Sequence, residues 1–266
     1  MPNKIRFLLL SVFSSFILSA AWYLHLTVLI FFAFVPLLYL EERITSNLNL
    51  SKPRLKLFGY AYVTFLFWNI LVTWWVVYAS FGGACMAFIF NSLFMALVFV
   101  IYSRIKQSLA SPFSDWILIP LWIAWEHGHT LWDLTWTWLT LGNVFAFNHA
   151  WVQWYEFTGT SGGTFWVLFT NILVYKTIKQ NASLKLVSAP IIKIAAAIIV
   201  PIFISYLIFF VRSTSLNSYK TVSVVIVQPN IDPYNKKFNW YFKYQFEKSI
   251  KILDGKKIQK TDFIIF

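Results

Sequence analysis

The sequence predicts an all-α polytopic membrane domain of about seven transmembrane helices, followed by an incomplete α/β segment in β-α-β order. Three observations predict it. Of 266 residues, 59% are hydrophobic and only 12% are charged, about half the charged share of an ordinary soluble domain. The Lys and Arg residues lie in short clusters between apolar runs. After Val211 the composition changes to alternating strand-like and amphipathic stretches.

A spanning helix needs about 20 mostly apolar residues. Candidates are Ile5–Trp22, Leu26–Leu40, Leu57–Tyr78, Ala84–Tyr102, Phe113–Trp125, Thr164–Tyr175 and Ile194–Val211. The second, fifth and sixth are short. Basic residues fall at Lys4 and Arg6, at Arg43, Lys52, Arg54 and Lys56, at Arg104 and Lys106, and at Lys176, Lys179, Lys185 and Lys193. Segments 79–84 and 126–164 hold no Lys or Arg. Under the positive-inside rule every basic loop is cytoplasmic. An even number of spans then separates the N-terminus from Arg43, so Phe7–Leu40 is a hairpin broken near His25. Seven spans place the N-terminus in the cytoplasm and everything after Val211 outside, in a bacterial inner membrane. The net charge of +12 belongs to these loops, so no nucleic-acid partner is expected.

Trp22, Trp74, Trp75, Trp125, Trp132, Trp136, Trp138, Trp151 and Trp154 fall at or near the outer face, whereas Trp116 is the main one inside. Trp prefers the headgroup layer, where its ring is half apolar and its N–H stays wet. The belt reads either as ordinary anchoring or as a working surface. Residues 126–163 are too polar to span. Leu131, Trp132, Trp136, Leu139 and Phe145 are expected to line one side of an interfacial helix. Glu126, His127, His129, Asp133, His149 and Glu156 bring ionisable groups to that boundary. No metal site is expected, because His127 and His129 at i, i+2 point apart on a helix. Cys85 lies in a Gly-Gly-Ala-Cys stretch suited to close helix packing.

The domain boundaries are 1–212 for the transmembrane helices, 213–220 for a linker and 221–266 for the α/β segment. Val222–Val227 is a β-branched run long enough for a strand. Gln228-Pro-Asn-Ile-Asp-Pro is turn chemistry. Phe238, Phe242, Phe246, Ile250 and Leu253 recur at helical spacing, and Asp262–Phe266 starts a second strand. Two strands and a helix bury too little surface to stand alone. The chain is therefore expected to be a truncated protein or a gene fragment.

Taken in order, these features resemble apolipoprotein N-acyltransferase. Trp138-Leu139-Thr140-Leu141-Gly142-Asn143 is similar to that family's Pro-Trp-Leu-x-Leu-Gly segment. Gln153-x-x-Glu156-x-Thr158-Gly159, with Gly162, Gly163 and Asn171, is similar to its Gln-x-x-x-x-x-Gly-x-x-Gly segment. Val224-Val-Ile-Val-Gln-Pro-Asn-Ile-Asp232 resembles the entry to its outer domain. Two positions depart: Thr137 stands where the family has Pro, and Glu126-x-x-His129 where it has Glu-x-x-Arg.

The resemblance implies a nitrilase-like outer domain with a Glu–Lys–Cys triad. It also implies a phospholipid acyl donor, a diacylglyceryl-modified lipoprotein acceptor and no cofactor. The triad is expected beyond Phe266, which would leave this chain inactive on its own. Trp138 is the candidate for a lipid cleft. Gln228 and Asn230 are candidates for shaping the active-site side, or form only a rigid turn. The alternatives are a membrane transporter and a structural membrane subunit.

Overall fold

The computed structural model describes residues 3–180, 188–216, 222–231, 242–254 and 261–266. The chain divides into two compact units, Met1–Val211 and Arg212–Phe266.

The first unit is helical. Its helices are α1 (Asn3–Tyr23), α2 (Val35–Thr45), α3 (Pro53–Thr73), α4 (Phe81–Leu109), α5 (Leu118–Gly128), α6 (Tyr155–Gln180) and α7 (Ser188–Leu216). Residues 213–216, expected in a linker, continue α7, and residues 217–220 lie outside the described residues. Among the described residues, four stretches are long and apolar enough to cross a membrane: Lys4–Tyr23, Pro53–Tyr78, Phe81–Leu109 and Ala189–Arg212. The second expected span is instead a 3₁₀ turn, Thr27–Phe32, joined to α2. The fifth is a 3₁₀ turn, Ser114–Ile117, running into the 11-residue α5. The sixth lies within α6, which kinks at Gly159 (φ +62°).

Local chemistry sets these boundaries. Ser80 opens α4, its Oγ accepting the Gly83 N–H at 3.1 Å, which satisfies one of the first-turn donors. Pro53 at the first position of α3 loses no helical hydrogen bond there. His25 takes a left-handed φ of 56°, and the chain reverses around it. Arg6 then bonds Tyr39, and Ser14 bonds the Ala33 carbonyl, so α1 and the following segment run antiparallel. In α7, Pro201 has no N–H to offer the Ala197 carbonyl. The Trp166 indole N–H fills that vacancy at 2.7 Å, fixing α7 to α6.

Contacts gather the basic residues at one end. Lys106 pairs with Glu41 at 2.7 Å and with Asp115 at 2.8 Å, Lys176 with Asp115 at 3.4 Å, and Lys179 with Glu42 at 2.5 Å. Ser103 donates a further bond to Glu41, whose side chain is fully buried. Between the ends the core is aromatic. Trp122 meets Phe34 edge-on and tilts against Phe65, which in turn contacts Trp68 and Phe99. Asn171 stitches the break before α2: its Nδ2 donates to the Ile30 carbonyl and its Oδ1 accepts the Phe34 N–H, both at 2.8 Å.

The second unit holds β1 (Val224–Ile226), α8 (Phe242–Asp254) and β2 (Phe263–Ile265). The strands pair in parallel, Val225 opposite Ile264. The Val227 N–H extends the ladder to the Ile265 carbonyl at 2.8 Å, and the Asp262 carboxylate receives the Ser223 N–H. Phe246 of α8 stacks on Phe242 and contacts Phe266. Phe238, placed on this helix by the periodicity, lies outside the described residues.

Candidate lipid-facing site

The segment after α5 is not the interfacial helix that its apolar spacing predicts. Residues 129–136 form turns, followed by 3₁₀ turns at Thr137–Leu139 and Leu141–Trp151. Leu131 is exposed while Leu139 and Phe145 are buried, so the five apolar residues share no face. The cause is Glu126. Its carboxylate sits 6% exposed at the end of α5. It accepts hydrogen bonds from Trp122 Nε1 (3.1 Å), the Leu141 N–H (2.8 Å) and Thr164 Oγ1 (2.6 Å). All three donors are neutral. A buried carboxylate demands such donors, and meeting the demand pulls residue 141 under α5 and against α6.

That closure needs a close backbone approach. A Cβ at Gly163 would lie 1.7 Å from the Tyr155 hydroxyl and 2.9 Å from Gly142 Cα. The Tyr155 hydroxyl donates to the Gly142 carbonyl at 2.8 Å, and the Gly142 N–H donates to Thr164 Oγ1. Gly142 and Gly163 therefore bring chain against chain, whereas Gly159 has nothing within 4 Å.

The clamped loop forms one wall of a groove of about 740 Å³. Trp22, His25, Trp75, Trp138, Asn143 and Phe147 line it. Trp138 is 56% exposed and meets Trp75 edge-to-face at 5.2 Å. Asn143 Nδ2 donates to the Thr137 carbonyl, which holds the turn carrying Trp138. His25 packs edge-on against Phe147 at 4.1 Å. The groove is mostly apolar, with Tyr23, His25, Thr73 and Asn143 adding polar groups and an amphipathic Trp at its rim.

Gln228 and Asn230, in the second unit, are exposed on the turn after β1. Asn230 has a φ of 46°, a conformation that Asn tolerates. His127 and His129 diverge, one exposed and one buried. His129 stacks on Trp125 at 5.4 Å, and its Nδ1 accepts the Trp132 indole N–H at 2.8 Å. Burial holds its pKa below the ordinary histidine value. The sequence signalled Glu126 only as an ionisable group near the boundary. The Glu-x-x-His pattern was the available hint, and the Glu126 carboxylate proves to be the clamp of the loop.

The family model for the apolipoprotein N-acyltransferase N-terminal domain matches residues 14–173. A curated relative, apolipoprotein N-acyltransferase of Chlorobaculum tepidum, is 30% identical over 217 residues. The match covers 80% of this chain, and the chain spans 38% of that relative's length. No solved structure matches. The matched segment runs from the second half of α1 through most of α6, including the Glu126 clamp and Trp138, and the chain belongs to the apolipoprotein N-acyltransferase family.

Proposed function

We propose that this chain is the membrane part of an apolipoprotein N-acyltransferase-like protein of lipoprotein maturation, and that its tryptophan-rich end gathers the lipid substrates. The observation that carries this reading is the exposed Trp138 set against Trp75 at the mouth of an apolar groove. In this reading seven segments cross a bacterial inner membrane, with the N-terminus cytoplasmic and the second unit periplasmic. The parallel strand-helix-strand of residues 224–265 begins a nitrilase-like domain, where Gln228 and Asn230 shape the side near the chemistry.

That chemistry is two acyl transfers. A Cys thiolate attacks the sn-1 ester carbonyl of a phospholipid, forming a thioester and releasing a lysophospholipid, whose new hydroxyl takes up the proton. The α-amino group of a diacylglyceryl-cysteine then attacks the thioester, forming an amide and freeing the thiol. A neighbouring base activates the thiol, and a cation steadies each oxyanion. The reading assigns these groups to a Glu–Lys–Cys triad outside the 266 residues. This chain supplies the place where acyl chains leave the bilayer.

The test is photolabelling in nanodiscs with a diacyl phospholipid carrying a diazirine in its sn-1 chain. Label is expected to concentrate on the peptides bearing Trp75, Trp138 and Phe147, and to fall severalfold in Trp138→Ala. Label spread evenly over the lipid-exposed helices, or unchanged by the substitution, would overturn the reading.

A further inference from the structure

The basic end of the helical unit carries two cations that its ion-pair network does not use. Lys106, Lys176 and Lys179 have carboxylates, whereas Arg6 and Arg43 form no ion pair among the described residues. Both arginines are exposed, and both are drawn to one oxygen. Tyr39 Oη accepts Arg6 Nη2 at 3.2 Å and Arg43 Nε at 2.8 Å, and the Arg43 guanidinium lies over the Tyr39 ring at 4.9 Å. The two acceptor positions of that oxygen are thus filled, and its own O–H is left to donate. Two like charges held this close repel each other, and an anion bridging them removes the repulsion.

The surface around them is divided. Arg6, Phe7, Arg43, Ser46 and Asn47 line a polar hollow of about 300 Å³ without a carboxylate. Ser46 gives its hydroxyl proton to the Glu42 carbonyl. Asn47 Oδ1 accepts the Asn49 N–H, so Asn47 presents its NH₂ to the hollow. Arg43 and Ser46 also line an adjoining cleft of about 450 Å³ between α1, α2 and α6. Three further polar residues of the cleft satisfy one another, because the Glu42 carboxylate pairs with Lys179 at 2.5 Å and accepts the Tyr175 O–H at 2.7 Å. The rest of its lining is apolar: Leu10, Phe13, Val35, Pro36 and Ile178. A hollow rich in donors and positive charge therefore opens beside an apolar cleft.

We propose that this pair of cavities binds a phospholipid of net negative charge. Its phosphodiester receives the free N–H groups of Arg6 and Arg43 and the NH₂ of Asn47, and one acyl chain runs down the cleft along Leu10, Phe13 and Ile178. A guanidinium fork matches the geometry of two phosphate oxygens. A zwitterionic lipid brings the same phosphodiester but also a headgroup cation, which would share a hollow with two guanidiniums and no carboxylate. Inorganic phosphate would meet the guanidiniums and leave the apolar cleft bare. The site is separate from the Trp138 groove, since Arg6 and the groove residue Trp22 stand sixteen positions apart on α1, about 24 Å along the helix. Binding here requires the helices to stand in a bilayer, and neither acyl transfer nor the direction of insertion enters it.

The test uses the full chain in nanodiscs of phosphatidylcholine, with phosphatidylglycerol carrying a diazirine in one acyl chain as probe. Label is expected on the peptides bearing Leu10, Phe13 and Ile178. Unlabelled phosphatidylglycerol should displace it severalfold better than phosphatidylethanolamine. Arg6→Gln and Arg43→Gln should each weaken binding about fivefold, the effect of one cation at an anionic lipid surface. Arg54→Gln removes the same charge from the start of α3, outside both cavities, and should change binding by no more than about twofold. Tyr39→Phe keeps every charge but releases both guanidiniums, and should weaken binding severalfold. If Arg43→Gln fails to fold, Arg6→Gln and Tyr39→Phe decide. Equal labelling by a phosphatidylcholine probe, or displacement by inorganic phosphate as effective as by phosphatidylglycerol, would overturn the proposal. So would a loss in Arg54→Gln equal to that in Arg43→Gln, which would reduce the site to diffuse attraction between a basic surface and anionic lipid. Loss of diacyl label from the Trp138 groove would count against the proposed function and not against this site.

Discussion

Glu126→Ala tests the clamp most directly. The substitution strands three buried donors: Trp122 Nε1, the Leu141 N–H and Thr164 Oγ1, each within 3.1 Å of the carboxylate. Each buried donor left without a partner costs about 1–3 kcal/mol in water-soluble proteins. Polar contacts inside membranes average nearer 0.6 kcal/mol. Three donors at these two rates bracket the loss at about 2–9 kcal/mol, and entering water keeps it in the lower half of that range. Glu126→Gln should cost less, about 1 kcal/mol. Its amide oxygen still serves Leu141 and Trp122, but its NH₂ faces a Thr164 hydroxyl that already accepts from Gly142. Reversible unfolding in bicelles measures both values, and amide exchange at residues 139–164 reports whether the loop has come loose. An Ala variant within about 0.5 kcal/mol of wild type, or a Gln variant as damaging as Ala, would refute the assignment of Glu126 as an acceptor of three bonds.

Further substitutions separate packing from charge. Gly163→Ala places a methyl on the Tyr155 hydroxyl and should cost about 1–3 kcal/mol by overpacking. Gly59→Ala in α3, with nothing within 4 Å, should be neutral or stabilise by up to about 1 kcal/mol; the same unfolding assay reads both. Lys106→Met leaves the fully buried Glu41 without its cation and should cost about 3–5 kcal/mol, with Glu41→Gln in the same chain restoring much of it. Burial pushes the Glu42 carboxyl up, but hydrogen bonds from Lys179 and Tyr175 outweigh it and hold the pKa below the ordinary 4.5. A depressed pKa stabilises the fold above pH 4.5 and the gain disappears as pH falls through the lower folded value. Melting temperatures taken from pH 6 downward should therefore drop more for wild type than for Glu42→Gln.

The gathering of basic residues was legible because charge placement has a long-range consequence. Arg6, Lys106 and Lys176 are distant in sequence, yet they gather at one end, as a topology with basic loops on one side requires. What the rule hid was their partners. Glu41, Glu42 and Asp115 sit among apolar residues, and nothing local announces that Lys106 will reach across 65 positions to Glu41. Asn171 read as one member of a motif, whereas it replaces backbone hydrogen bonds missing at a break near Phe34. The interfacial helix failed for a related reason. Spacing counts apolar residues but not the demand of a buried carboxylate, and Glu126 takes the Leu141 N–H that a continuous helix would have used internally. Trp138 lies on the rim, as its place in a tryptophan-rich loop suggested, because an indole half in water needs no partner from the chain.

The two ends of the helical unit are held by opposite chemistry, and this bears on function. At the basic end every acidic group of the network has a cation. At the tryptophan end the clamp uses neutral donors only. Residues 138–147 wall the Trp138 groove, and Glu126 fixes that stretch through the Leu141 N–H. Lipid held in the groove should therefore depend on one carboxylate that does not itself line it. Trp138→Ala should lower diacyl-lipid labelling in the groove directly. Glu126→Ala should lower it as well, under conditions where melting shows the helices still folded. Labelling unchanged in Glu126→Ala would mean that the groove wall keeps its shape without the clamp.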